Sequence, residues 1–348
     1  MHRKNNFSFI HLFAALLVMY GHEFNLMGQA APTILNMDCH GLGVRIIFVI
    51  SGYLITMSYI RSKNAGQYMV KRIIRIFPPL ITCIFVMTYW VGPIISRYGL
   101  HDYLSLSKNY FIKNVLLYPV YDLPGVFENN IYPTAVNGSL WTMPIEFVCY
   151  ILLIFLMKVY YLLEKKRKTF AQIYYILLFI VCWVGYVLRI TGTYSNALVI
   201  WGTDWLNAIQ VAAYFMAGSL VANLKLEKYC YLQVAIVLMV VCKCLGGYIL
   251  VVMYLPLITY TTIAFAQDTP PLFCHVWAQE WSYGIYLWSF PIQQIIIQYI
   301  IINRHMSVPI GLMYFISVII TFVFAGVSYR MVEKPLKTIN LIRKKKGL

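Results

Sequence analysis

The sequence predicts an all-α fold: a polytopic integral membrane protein of about ten transmembrane helices, with both termini in the cytoplasm. Three observations lead there. Of the 348 residues, 61% are hydrophobic and only 11% are charged, whereas a soluble domain carries about a quarter charged residues. The apolar residues fall in long runs parted by short polar or basic breaks, and a helix needs ~20 mostly apolar residues to cross hydrocarbon. The Lys and Arg residues, finally, are clustered rather than spread.

In chain order the expected spans cover about 7–27, 43–60, 77–96, 141–160, 170–188, 205–223, 230–246, 247–266, 281–301 and 308–327. The seventh and eighth meet at Gly246–Gly247, where a tight turn must separate them. The first run has some marks of a cleaved leader: a basic start, an apolar stretch and Gly28-Gln-Ala30. Cleavage there would discard His22 and Glu23 and invert every later break, so an uncleaved helix is expected. The reading is a single transmembrane domain over residues 1–348, with an outer loop at about 97–140 and a basic cytoplasmic tail at 328–348.

A net charge of +16 raises nucleic acid as a partner. Most of the charge, however, sits at Arg3–Lys4, Arg61–Arg75, Lys158–Lys168, Lys225–Lys228 and Arg330–Lys346. Alternating spans place all five clusters on one side, as the positive-inside rule requires of cytoplasmic loops. Topology explains the charge and nucleic acid does not. The run Arg343-Lys-Lys-Lys346 then serves as an anchor at anionic lipid headgroups. The eight cysteines have no disulfide or metal-ligand spacing, so neither a disulfide framework nor a metal is expected.

The segment 97–140 interrupts the economy of short loops. It carries Asp102, Asp122, Glu128, Asn129, Asn130 and Asn137 among aromatic residues. Amides and aromatic rings together suit a carbohydrate, while an amphipathic segment packed on the helices would read the same way. Both readings stand at this point.

His22, at the far end of the first span beside Glu23, is the leading functional residue. An ionisable side chain at membrane depth is costly and is retained for transport, proton relay or chemistry. Two further blocks follow it: Gly41-Leu-Gly-Val-Arg45-Ile-Ile-Phe-Val-Ile-Ser51-Gly52 and Tyr68-Met-Val-Lys71-Arg72-Ile-Ile-Arg75-Ile-Phe-Pro78. Later come Leu140-Trp141-Thr142-Met-Pro-Ile-Glu146, Ser282-Tyr283-Gly284-Ile-Tyr286-Leu-Trp288 and Glu333-Lys-Pro335. In this order they resemble the signature of the acyltransferase-3 family, integral-membrane enzymes that O-acylate bacterial surface glycans. The resemblance runs from about residue 7 to 336. It departs in two places: His11 stands where the family usually has arginine, and Ser289 where it usually has histidine.

The resemblance implies an O-acyltransferase of the bacterial plasma (inner) membrane. Such an enzyme moves an acyl group, here expected to be acetyl, from cytoplasmic acyl-CoA to a hydroxyl of a surface or lipid-linked glycan. Membrane lipids, acyl-CoA and the glycan are then its partners. Under that reading His22 is the general base, for which a near-neutral group is suited. Glu146, on another span, is the candidate to orient it, because adjacent residues such as Glu23 do not face each other on a helix. His11, about three turns and ~16 Å before His22 on the same face, would help hold the donor.

Arg72 and Arg75 share one helical face, and arginine pairs well with the phosphates of coenzyme A. A basic loop needs no ligand to lie in the cytoplasm, and only the resemblance favours phosphate binding here. Ser51, beside Gly52, is assigned to packing and pore shape. Arg45 is a candidate partner of Glu23 or of an oxyanion, and Trp141, Tyr283 and Tyr286 are possible supporting aromatics. Two alternatives remain: a transporter or flippase of lipid-linked glycan, and a catalytically impaired relative of the enzymes. A transporter should show Gly/Pro-interrupted spans in matched halves, and no such repeat is visible.

Overall fold

A computed structural model describes residues 5–192, 198–270, 272 and 276–338, with no side chains considered at 276–280. The cluster Arg3–Lys4 and the tail Arg343–Lys346 lie outside the described residues. Eleven helices of 14 or more residues organise the described residues: α1 (Phe7–Leu26), α2 (Cys39–Ile60), α3 (Ala65–Val86), α4 (Leu100–Val115), α5 (Thr142–Lys166), α6 (Lys168–Ile190), α7 (Trp205–Leu224), α8 (Leu232–Leu245), α9 (Gly247–Asp268), α10 (Val276–Ile297) and α11 (Ile310–Ser328). Two two-stranded ribbons are the sheet content of the described residues.

Nine helices among the described residues are long and apolar enough to cross a membrane, and the protein is a multi-pass membrane protein. The expected seventh span is corrected. Its helix, α8, has 14 residues, and at 1.5 Å per residue it reaches about 21 Å, short of a ~30 Å hydrocarbon core. Its apolar composition resembled a span, but Tyr231 before it and the Gly246–Gly247 turn after it set the length. Both glycines have positive φ, 58° and 49°, as the tight turn requires. The third span begins earlier than expected, at Ala65, and Arg72 and Arg75 are helical as read from the sequence.

The chain forms two compact units. One contains the described parts of Met1–Ala14, Gly43–Met69 and Ile145–Val276. Here α2 crosses α7 with almost no side chain between them. A Cβ on Gly52 would lie 2.0 Å from the Phe215 carbonyl oxygen, and one on Gly218 would lie 2.1 Å from that of Val49. At that crossing the Thr56 hydroxyl meets Ser219 at 2.7 Å and the Tyr175 hydroxyl meets Ser219 at 2.8 Å. In hydrocarbon there is no hydrophobic drive between helices, so close backbone packing and shared hydroxyl bonds do this work.

The other unit contains Ala15–Leu42, Val70–Pro144 and the described part of Trp277–Leu348. In it the segment after α3 is well ordered rather than an open loop. A wide helical turn at Met87–Val91 frees the Thr88 carbonyl, which accepts the Tyr103 hydroxyl at 2.7 Å from α4. Burial pushes the Tyr103 and Tyr110 hydroxyls above their ordinary range. Asn114 closes the end of α4, donating to Tyr110 and Val120 carbonyls and accepting from the Val120 amide. Asn137 donates to the Leu287 carbonyl at 3.0 Å and caps the turn at Ser139. Asn130 donates to the Gln294 side-chain oxygen at 2.7 Å. These buried amides build the segment.

Candidate active site

The site grows from the way α1 ends and α2 begins. Gly28, at φ 71°, takes the left-handed position that closes α1, with the Gln29 amide bonding back to the Phe24 carbonyl at 2.8 Å. The chain then turns through a ribbon pairing Thr33 with Asp38 and Ile34 with Met37. Leu35 and Asn36 at its tip both have positive φ, 53° and 61°, the mark of a two-residue turn matched to strand twist. The ribbon returns the chain so that α2 starts beside the end of α1.

That return brings His40 against His22, their ring centroids 5.6 Å apart and tilted by 34°. Gly21 makes the approach possible. A Cβ there would lie 2.7 Å from the His40 backbone nitrogen and 2.9 Å from its Cβ. The edge of Phe290, on α10, packs on His22 at 5.3 Å and 79°. Tyr132, from the segment after α4, meets Phe290 in turn at 6.4 Å and 82°. His22 is half-buried, and its Nδ1 is buried with no hydrogen-bond partner among the described residues. This is a partly open imidazole walled by one further imidazole and aromatic rings.

Glu23 faces elsewhere, as neighbouring helix positions must. It is fully buried and accepts from Gln293 Nε2 at 2.6 Å, while the same nitrogen donates to the Met19 carbonyl at 2.8 Å. Glu23 therefore ties α1 to α10 behind His22. Arg72 and Arg75 are both half-buried on α3. The Arg75 guanidinium lies 5.5 Å from the centre of the Tyr283 ring, within cation–π range. Tyr283 is itself held by bonds to the Ile76 carbonyl and the Met143 sulfur. Tyr286 bonds Thr142 at 2.8 Å and the Ser139 carbonyl, so both tyrosines act as clips. Trp141 is half-buried at the head of α5. Ser289 bonds the Tyr286 carbonyl of its own helix at 3.2 Å.

The remaining expected residues lie in the first unit. His11 is half-buried on the first half of α1. Glu146 accepts the Tyr150 hydroxyl one turn along α5. Arg45 sits 5.9 Å from the Tyr214 ring centre, within cation–π range. Ser51 is buried next to the Gly52 crossing, in keeping with a packing role. Among the described residues no group of three or more His, Cys, Asp or Glu side chains could hold a metal.

Sequence reasoning missed His40, Phe290 and Tyr132. For His40 a signal was present: a short connection between two spans forces the first turn of the second to lie near the last turn of the first. Gly21 beside His22 marked where the backbones could close. Phe290 and Tyr132 had no comparable signal, being far from His22 in the chain.

A many-spanning helical membrane protein with such a histidine site falls in a recognisable class. The chain matches the acyltransferase domain over residues 6–330, and it belongs to the acyltransferase-3 family. An O-acetyl transferase of Shigella phage Sf6 is 28% identical over 346 residues, 97% of each chain. Nodulation protein 10 of Rhizobium leguminosarum bv. viciae is 33% identical over 165 residues, 45% of each chain. Peptidoglycan O-acetyltransferase OatA of Listeria monocytogenes is 25% identical over 343 residues, 88% of this chain and 53% of that one. No solved structure matches. Family and relatives together make the chain an enzyme, a membrane O-acetyltransferase.

Proposed function

We propose that the enzyme carries an acetyl group from acetyl-CoA, bound from the cytoplasm, to a hydroxyl of a glycan at the opposite membrane face, in a bacterial plasma membrane. Residues 1–348 serve as one transmembrane acyltransferase domain. Strict alternation of α1, α2 and α3 puts the beginning of α3, with Arg72 and Arg75, near the face opposite the end of α1, with His22. The arginines grip the donor's phosphates through paired N–H donors, and His11 lies along α1 between the two faces.

In the reaction His22 takes the proton of the acceptor hydroxyl as its oxygen attacks the thioester carbonyl. The C–S bond then breaks, the thiolate leaves with a proton, and the ester bond to the sugar remains. His40, in ring contact with His22, sets the imidazole's tilt, and Glu146 keeps the orienting role that the resemblance implies. The observation that carries the reading is the partly open His22 imidazole, with its buried Nδ1, at the end of a membrane-crossing helix.

The test is a His22→Ala variant assayed for acetyl transfer to the cell's own surface polysaccharide. Transfer should fall to background while the protein still inserts and still binds acetyl-CoA. Wild-type glycan acetylation in that variant would overturn the assignment.

A further inference from the structure

The segment between α4 and α5 raised carbohydrate as a ligand because it mixes amides with aromatics. Its buried amide nitrogens are already engaged: Asn130 and Asn137 donate to the Gln294 side-chain oxygen and the Leu287 carbonyl. Tyr132 is different. It is 47% exposed, yet its backbone is held firmly. Gln294, fully buried, donates from Nε2 to the Tyr132 and Ala135 carbonyls at 2.8 Å each, and Asn130 holds the Gln294 oxygen.

Neighbouring Ile131 rests on the end of α1, where a Cβ on Gly28 would lie 2.9 Å from its Cγ2. The loop tip is thus fixed against both α10 and α1, with Tyr132 left about half exposed. From its ring two contacts, Tyr132 to Phe290 and Phe290 to His22, lead to the imidazole. Each contact is near perpendicular, so the rings form a stepped corner rather than a closed stack.

We infer that Tyr132, packed on the buried Phe290, forms the subsite for the acceptor's sugar ring, with the ring's apolar face on Tyr132 and a hydroxyl turned toward His22. The inference rests on the acetyl-transfer reading above and names where that reaction's acceptor lies. A pyranose presents C–H groups on one face and hydroxyls at its edge, which an aromatic platform beside a base matches. Because the Tyr132 backbone is held before any ligand arrives, little backbone ordering cost is left for binding. On either side of Gly28, Met27 and Gln29 border a cavity of about 490 Å³ whose lining also includes His305 and Ser307. That cavity gives polar contacts to a further sugar of the same chain.

The experiment uses the full-length enzyme in lipid nanodiscs, acetyl-CoA as donor, and oligosaccharides released from the host's own surface polysaccharide as acceptor. In Tyr132→Ala the KM for the oligosaccharide should rise about tenfold, the equivalent of one lost stacking contact, while the KM for acetyl-CoA stays within about twofold. Tyr132→Phe, which keeps the ring face, should restore the acceptor KM. Should Tyr132→Ala fail to insert, Tyr132→Ile, apolar but ringless, should show the same rise. An unchanged acceptor KM in the ringless variants would overturn the subsite and leave Tyr132 as an interfacial anchor. Absence of transfer by the wild-type enzyme, or full transfer by His22→Ala, would instead overturn the acetyl-transfer reading beneath it.

Discussion

His22 and His40 lie with ring centroids 5.6 Å apart because Gly21 lets the first turn of α2 approach the last turns of α1. Glycine inside a helix is otherwise a disadvantage of about 1 kcal/mol relative to alanine. Gly21→Ala therefore separates two effects of opposite sign. Helix propensity alone would stabilise the variant, whereas a methyl group 2.7 Å from the His40 nitrogen must push α2 away, at a cost of ~1–3 kcal/mol. We expect the steric term to win. Acetyl transfer should fall at least about tenfold, the equivalent of 1.4 kcal/mol, with circular dichroism showing helix content retained. Normal transfer in this variant would show that the His22–His40 spacing is not used.

The buried carboxyl of Glu23 gives a second prediction, about stability rather than chemistry. Glu23→Ala leaves a buried Gln293 N–H without its acceptor, a loss of ~1–3 kcal/mol. Glu23→Gln keeps an acceptor oxygen in place. The thermal midpoint in detergent should drop clearly for alanine and little for glutamine. Equal midpoints would mean that the Gln293 bond contributes nothing to holding α1 on α10.

Arg72 and Arg75 should report on the donor. Replacing either with alanine should weaken acetyl-CoA binding by about 10- to 100-fold, from ~1.5–3 kcal/mol per charged hydrogen bond. Wild-type affinity should fall with added salt, since the contacts are electrostatic, and the double variant should lose most of that salt dependence. Calorimetry showing unchanged affinity would return these arginines to a purely topological role.

His11 makes a pH prediction. Protonated imidazole is positive and attracts the donor's phosphates; neutral imidazole does not. Donor affinity should therefore rise as the pH is lowered, and His11→Arg should tighten binding and flatten the curve. His22 lies on the same helix, so binding is measured in a His22→Ala background. A flat curve there would leave His11 with packing alone.

Much of this was legible along the chain. Hydrocarbon thickness imposes a local requirement, a run of apolar residues, and nine of the expected spans satisfied it. The tenth did not, because composition reads apolarity more easily than it reads where a helix must stop, and α8 ends after 14 residues. The family blocks were equally local, and they carried the enzyme class. What needed the tertiary structure was every pairing between distant residues. Glu23 could be seen not to face His22, but its partner Gln293 is 270 positions away. The asparagines after α4 fitted a carbohydrate site and a packed segment equally until their bonds to Leu287 and Gln294 appeared. Apolarity and helical period act over a few residues and are written in order; the wall around His22 forms where glycine, ribbon and loop bring backbones together, and that closeness exists only in the folded chain.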